Sequence, residues 1–472
     1  LLSRTDLPGR RVGLGLMVVM IFVPLYLQAA AWQAGFGLQG WYTLATRGPV
    51  LLEGMAGATW VHAMYAVPWV VLIVAVGLRL VEPELEEQAL LECSPAGVFL
   101  RVLLPSVASA VLVAALWVAI VTAGEMTVTD LFVVRTYAEV LYTQIAIGQE
   151  PGQAAATVMP GIVLTACLTG AALWLCAKLA PRDRPLTQRR QLVYRLGKWK
   201  IPAVILVAAV LLLLVGVPLG SLFYKAGVLV TQTEAGHQRA FSPMKLVSTV
   251  AESPWRYRRE FGWSLLICGL SATTAVVLGA LLTWPARQGG KRALPALAAA
   301  TICLAAPGAL IGFAIIRLLN RPDVPLFIEL YDNTIFAPVA ALVIRSLPPA
   351  VLIMWYAFRA VPREMLEAAA VDGAGPFARF FRVVLPCWTP ALAVAWLIAL
   401  AVGLGDLAAS ILVVPPGVTT LSIRIFGLLH YGVEDQVAGI CLAQMCIFAG
   451  LCALVASVVW IKWLKNGELA GS

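Results

Sequence analysis

The chain is expected to be an all-α membrane protein, a polytopic helical bundle made of two parallel repeats. Three observations lead there. Of its 472 residues 61% are hydrophobic and 12% charged, against about 25% charged in a soluble domain. Apolar runs of about 20 residues recur along it, long enough to cross a hydrocarbon core of about 30 Å. Sliding the sequence on itself by 281 residues superimposes two polar segments without a gap.

The apolar runs mark ten spans, at about 12–33, 54–78, 106–123, 154–178, 201–224, 262–285, 292–318, 336–358, 387–410 and 436–463. The net charge of +9 reflects topology, not affinity for nucleic acid, because lysines and arginines gather in alternate loops. Residues 178–200 carry Lys178, Arg182, Arg184, Arg189, Arg190, Arg195, Lys198 and Lys200 against Asp183 alone. Counting spans places this loop on one side, the cytoplasmic one, with residues 4–11, the Arg287, Lys291 and Arg292 loop, both polar segments, and Lys462 and Lys465. Residues 225–261 are expected outside yet contain Arg256, Arg258 and Arg259.

Catalytic and metal-binding constellations are not expected. The nine cysteines show no CxxC spacing, so neither zinc nor a disulfide framework is indicated. His62, His237 and His430 are scattered, which argues against bis-histidine haem ligation. No GxxxxGK[ST] occurs; Gly289-Gly290-Lys291 is followed by Arg292. The chain is therefore read as no enzyme, without cofactor.

The most informative segment is 363–386, REMLEAAAVDGAGPFARFFRVVLP. Residues 363–370 favour a short helix, Asp372-Gly373 a turn, and Pro376 the first turn of a second helix. Phe377, Phe380, Phe381 and Val384 form an apolar stripe at helical spacing. Leu385-Pro386 then opens the next span. Upstream, 281 residues earlier, Glu86 falls on Glu367, Pro95 on Pro376, Phe99 on Phe380, Arg101 on Arg382, and Leu104-Pro105 on Leu385-Pro386. This copy departs from the other: Glu87-Gln88 stand at Ala368-Ala369 and Glu92 at Gly373. Its turn is expected at Ser94-Pro95.

Segment 363–386 resembles the EAA loop of bacterial ABC-importer permeases, the element that docks on the ATPase subunit. The resemblance implies a fused two-domain inner-membrane permease with ATPase-coupling residues Glu86, Glu87, Pro95, Leu104, Pro105, Glu367, Ala368, Ala369, Asp372, Gly373, Leu385 and Pro386. It implies two copies of a separate ATPase and a periplasmic or extracellular substrate-binding protein as partners, beside the lipid bilayer. The permease repeats are placed at 1–178 and 201–472, joined by a basic cytoplasmic linker at 179–200. The second holds six spans; the first lacks the counterparts of two, so twelve are expected in a full-length chain.

Further patterns resemble ferric-iron, thiamine and phosphonate permeases: RTDLPGRR at 4–11, Phe22-Val23-Pro24-Leu25-Tyr26, Ala306-Pro307-Gly308-Ala309 with Gly312, and 405–432. On that resemblance the cargo expected is ferric iron, with thiamine, phosphonate or polyamine as alternatives. An ion-gradient-driven secondary transporter is the reading from another class. Candidates for the path are Glu125 and Asp406, in equivalent places after the fifth spans, and Arg345 inside span 336–358. The two carboxylates equally suit helix caps or ion pairs, and Arg345 a pairing with Asp332 or Asp406. Pro68, Pro160, Pro307, Pro338 and Pro348 are expected to kink or break spans.

Overall fold

The computed structural model describes residues 1–79, 81–147, 151–179, 191–233, 236–359 and 361–469. The middle of the expected linker, with Pro181, Arg182, Asp183, Arg184, Pro185, Arg189 and Arg190, lies outside the described residues, as do the side chains of Lys178, His237, Lys462 and Lys465. Among the described residues six helices are long and apolar enough to cross a membrane: Gly54–Arg79, Pro95–Ala123, Gly197–Gly227, Arg258–Ala286, Phe336–Arg359 and Glu434–Val455. Three more segments qualify as bent pairs. Helix Pro151–Leu179 has 29 residues, with an apolar stretch at Met159–Ala172. Among the described residues the strands are a two-stranded antiparallel hairpin, Val228–Thr233 with Gly236–Phe241.

Two expected spans are not straight. Arg10–Ile21 meets Leu25–Thr46 at 104°, and Gly290–Ala305 meets Gly308–Leu319 at 104°. Pro24 (φ −56°, ψ 147°) and Pro307 (φ −58°, ψ 147°) sit at the two corners in matching extended conformations. A proline ring removes one amide donor and collides with the carbonyl four residues back, so a helix cannot run through unchanged. Of the prolines expected to break spans, Pro307 does so. Pro68, Pro160 and Pro348 stay inside continuous helices, and Pro338 lies in the first turn of Phe336–Arg359. The third bend, 76° between Pro376–Cys387 and Thr389–Gly405, falls at Trp388, where Pro390 withholds its donor from the preceding turn.

Corners free backbone groups that lipid cannot satisfy. The last helix of each half lies against the corner in the other, bonding a backbone carbonyl at Pro307 and a side chain at Pro24. Thr165, on Pro151–Leu179, donates to the Ala305 carbonyl at 2.8 Å. Gln444, on Glu434–Leu469, exchanges hydrogen bonds with Tyr26: Nε2 lies 2.9 Å and Oε1 3.1 Å from the phenol oxygen. Around Tyr26 a core forms from Leu27 and Ala30 with Leu222, Ala226, Ile425, Val437 and Cys441. Residues from both ends of the sequence are thus packed together.

Helix Gly308–Leu319 runs against residues 408–412. A Cβ on Gly308 would lie 2.6 Å from the Ala408 Cβ and 2.9 Å from the Ala409 amide nitrogen. Neither atom can step aside without moving backbone. Gly308→Val is therefore expected to destabilise the fold by about 1–3 kcal/mol, seen as a lower unfolding temperature in detergent. Gly269→Val, where no atom lies within 4 Å, is the control and should leave that temperature unchanged.

Candidate functional site

The second docking element follows the sequence closely. Helix Arg363–Val371 ends at Asp372, and Gly373 takes φ 80°, the left-handed region that glycine enters without penalty. Pro376 opens Pro376–Arg379, and a π-helical turn, Phe380–Val384, leads into Leu385. In that turn the Leu385 amide donates to the Phe380 carbonyl. The cause is Pro386: it has no amide for the usual bond, and its ring pushes the preceding carbonyl away, so the helix widens by one residue. The same arrangement recurs at Phe99–Leu103 before Leu104-Pro105, and at Leu212–Gly216 before Val217-Pro218. The two docking elements thus carry π-turns 281 residues apart.

The wider turn divides the expected apolar stripe. Val384 is fully buried, and Phe380 packs on Trp284 (4.9 Å between centroids) and Phe358 (5.8 Å). Phe377 and Phe381 are exposed instead. Arg287 lies over the other side of the Trp284 ring at 3.6 Å. This aromatic cluster ties the second docking element to spans Arg258–Ala286 and Phe336–Arg359.

The first docking element is held differently, and the register expected for it needs correction. Helix Pro83–Glu92 stops at Cys93, in extended conformation, and the Ser94 hydroxyl accepts from the Gly97 amide. The turn therefore forms at Ser94-Pro95 without glycine. Its loop is two residues shorter than 372–375 and its helix one residue longer than Arg363–Val371, so the two helices align one residue off the ungapped shift. Val81 and Val361 are both buried, and Leu91 and Val371 project at 87% and 88% exposure. In this register Glu87, not Glu86, matches the exposed Glu367, and Glu86 matches the inward-facing Leu366.

Glu86 is fully buried and has no face left for a partner protein. Its carboxylate pairs with Arg4 at 3.0 Å and accepts from the Tyr194 hydroxyl at 2.7 Å. Arg4 also donates to the Leu78 carbonyl at 2.5 Å. Burial first, then the Glu86 carboxylate, push the Tyr194 phenol above its ordinary range, so it remains a donor. Residues 4–6 and 194 form a short parallel bridge, and Asp6 accepts from the Leu196 amide at 3.0 Å and from Lys200 at 3.1 Å. Residues 194–200 are thus joined to the first helix–turn–helix element. The sequence pattern placed Arg4 in the basic segment 4–11 but tied neither it nor Tyr194 to Glu86, because the network joins residues 82 and 108 positions apart.

Between the halves lies a cavity lined by both proline corners (Pro24, Tyr26, Ala305, Pro307) and by Tyr65, Trp69, Trp117, Glu125, Arg345 and Asp406. The three expected path residues therefore share one space. Both carboxylates are committed to the protein. Glu125 accepts from the amides of Thr127 (2.6 Å) and Val128 (3.0 Å) and lies 3.2 Å from His62 Nε2. Asp406 accepts from the Ala409 amide at 2.9 Å and from Arg345 Nε at 2.8 Å. Arg345 thus pairs with Asp406, and Asp332 is exposed elsewhere. Each acid caps the turn after its span and meets a basic side chain from a neighbouring span, so the capping and pairing alternative describes them. His62 and the walls Trp69 and Trp117, whose centroids are 5.3 Å apart, were not singled out from sequence. A basic side chain in an apolar run was the available signal for His62. Among the described residues no group of three or more His, Cys, Asp or Glu could hold a metal ion.

Glu86→Ala is expected to cost about 3–5 kcal/mol, because it leaves Arg4 buried and unpaired. Glu87→Ala, one residue on and exposed, should cost under about 0.5 kcal/mol. Unfolding temperatures of the two variants measured side by side check the assignment.

Residues 266–466 match the family model described as binding-protein-dependent transport system inner membrane component. The putrescine transport system permease protein PotI of Escherichia coli K12 is 32% identical over 102 residues, 22% of this chain and 35% of that protein. The sn-glycerol-3-phosphate transport system permease protein UgpA is 40% identical in Shigella flexneri and 41% in Salmonella typhi, over 58 residues, 12% of this chain and 20% of theirs. The chain thus spans about a third or less of the length of these relatives. Residues 266–466, under half of the chain, are thus similar to the binding-protein-dependent transport system inner membrane components.

Proposed function

We propose that the chain is the transmembrane permease subunit of an ATP-driven, binding-protein-dependent importer, with two docking elements for a separate, two-copy ATPase. The observation that carries this reading is the pair of helix–turn–helix elements with matching π-turns, Pro83–Leu103 and Arg363–Val384 by position. Each presents an exposed glutamate, Glu87 or Glu367, and an exposed apolar tip, Leu91 or Val371. A groove on an ATPase that accepts one such helix would take the apolar tip and pair the glutamate. Ala368, Ala369, Asp372 and Gly373 shape the second contact, and Pro95, Leu104, Pro105, Leu385 and Pro386 set the angle at which each element enters its span. Two permease repeats, 1–178 and 201–472, with the linker 179–200 and both docking elements in the cytoplasm, complete the reading in a bacterial inner membrane.

Closure of two ATPase copies on ATP would draw the two elements together and open the cavity outward; hydrolysis would reset it. Because the second element is joined to its spans by the Trp284, Phe358 and Phe380 cluster and the first by the Arg4, Glu86 and Tyr194 network, the two transmit motion through contacts of different chemistry.

For the cargo, the relatives are named for putrescine and glycerol 3-phosphate, and ferric iron rests on subfamily resemblance alone. The aromatic wall of Tyr65, Trp69 and Trp117 beside paired acids favours a small organic cation, since an ammonium group over an aromatic face gains about 0.5–2 kcal/mol. A polyamine is therefore the cargo this cavity suits best, ahead of ferric iron, thiamine and phosphonate. ATPase stimulation in proteoliposomes by binding protein loaded with putrescine, with ferric iron, or empty tests it; stimulation by ferric iron alone overturns the polyamine reading.

Two substitutions test the coupling. Gly373→Val places a β-branched residue at φ 80°, a strain of about 1–2 kcal/mol, and is expected to lower uptake while the chain still inserts. Glu367→Lys reverses the exposed charge and should abolish co-purification with the ATPase. Unchanged uptake and unchanged co-purification together would refute the docking assignment, as would uptake driven by a proton gradient in the absence of ATP.

A further inference from the structure

Helix Pro243–Arg256 lies between the span Gly197–Gly227 with its following hairpin and the span Arg258–Ala286. One face is held by the protein. Leu246 and Val250 pack on the core that contains Tyr257, and Lys245 pairs with Asp435 at 3.2 Å. Gly439 permits the close approach, since a Cβ there would lie 2.7 Å from Thr249. At 100° per residue, Leu246, Val250 and Ser253 fall in one arc of the helix.

The apolar arc does not stop where the protein stops covering it. Met244, Val247, Ala251 and Trp255 fall within an adjoining arc of about 80°, and all four are exposed, Met244 at 78% and Trp255 at 75%. Only the opposite flank is polar, with Lys245, Ser248, Glu252 and Arg256. At the C-terminal end Arg256, Arg258 and Arg259 are all exposed, and Arg258 lies over the Trp255 ring at 5.4 Å. Among the described residues none of these three arginines has a carboxylate partner. The exposed strip continues into the exposed leucines of the next span, Leu265, Leu266 and Leu270, which face hydrocarbon in any membrane that span crosses.

We propose that Pro243–Arg256 is an interfacial membrane anchor, lying in the plane of the lipid surface. Met244, Val247, Ala251 and Trp255 enter the acyl boundary, and Arg256, Arg258 and Arg259 bind the phosphates of anionic lipids. A wide apolar arc, a tryptophan and clustered arginines are what such a helix requires. Lipid phosphates also account for three arginines in a loop that the charge pattern places on the external side. The inference rests on the proposed topology only for which leaflet is meant; the spans on either side suffice for the contact itself.

The test uses the full chain in lipid nanodiscs. The difference in tryptophan emission between the wild-type chain and Trp255→Phe isolates this residue. That difference signal is expected to be lost in lipids brominated near the glycerol end of their acyl chains, and to resist aqueous iodide. Quenching by iodide and none by brominated lipid would overturn the proposal. So would a signal that becomes shielded only when the loaded binding protein is added, which would make the strip a protein-docking surface. A second arm reads charge. Arg256→Gln, Arg258→Gln and Arg259→Gln together should remove the blue shift of Trp255 emission gained on adding phosphatidylglycerol to phosphatidylcholine; an unchanged shift argues against phosphate binding. Neither arm needs transport or ATP, so failure here and failure of the importer reading are separable.

Discussion

The architecture depends on one constraint: within hydrocarbon, every backbone amide and carbonyl must find its partner inside the protein. A helix meets that demand by itself, but Pro24 and Pro307 break two helices at right angles in the same cavity wall. At the second corner Thr165 bonds the Ala305 carbonyl from across the molecule, and at the first Gln444 bonds the Tyr26 side chain. Corner and abutting helix come from opposite halves of the sequence, so neither half closes the cavity alone. The same accounting explains the π-turns. Before Leu104-Pro105, Val217-Pro218 and Leu385-Pro386 the helix re-pairs one residue further back, keeping the carbonyls bonded while turning the element relative to its span.

Those turns set two similar helix–turn–helix elements on two dissimilar foundations. The second rests on stacked rings, Trp284, Phe358 and Phe380. A ring cluster is non-directional enough to slide. The first rests on a buried carboxylate that meets Arg4 and Tyr194 in fixed directions. A buried ion pair tolerates little displacement, because breaking it strands a charge in a medium of low dielectric. The first element is therefore the stiffer, and the described end of the linker contributes to that stiffness through Tyr194, Leu196 and Lys200.

The cavity shows the same economy. Glu125 and Asp406 occupy corresponding places, each bonding an amide three residues on and each facing a basic side chain. The base is His62 on one side and Arg345 on the other, so only one of the two acids faces a permanent cation. What remains for a passing solute is aromatic surface and the outer lobes of two ion pairs.

The sequence by itself determined the fold class, the positions of the apolar segments, the glycine turn at Gly373, and the helix starts at Pro95 and Pro376. Each of these follows from local propensity or from a repeat visible as a constant shift. Only the tertiary structure decided that Glu86 is buried and Glu87 exposed, because burial there is imposed by Arg4 and Tyr194, both distant in sequence. It likewise decided which prolines break helices. Pro68 and Pro348 are absorbed by continuous helices, whereas at Pro24 and Pro307 the chain turns a corner against a helix distant in sequence, and no local pattern records which helix will lie alongside.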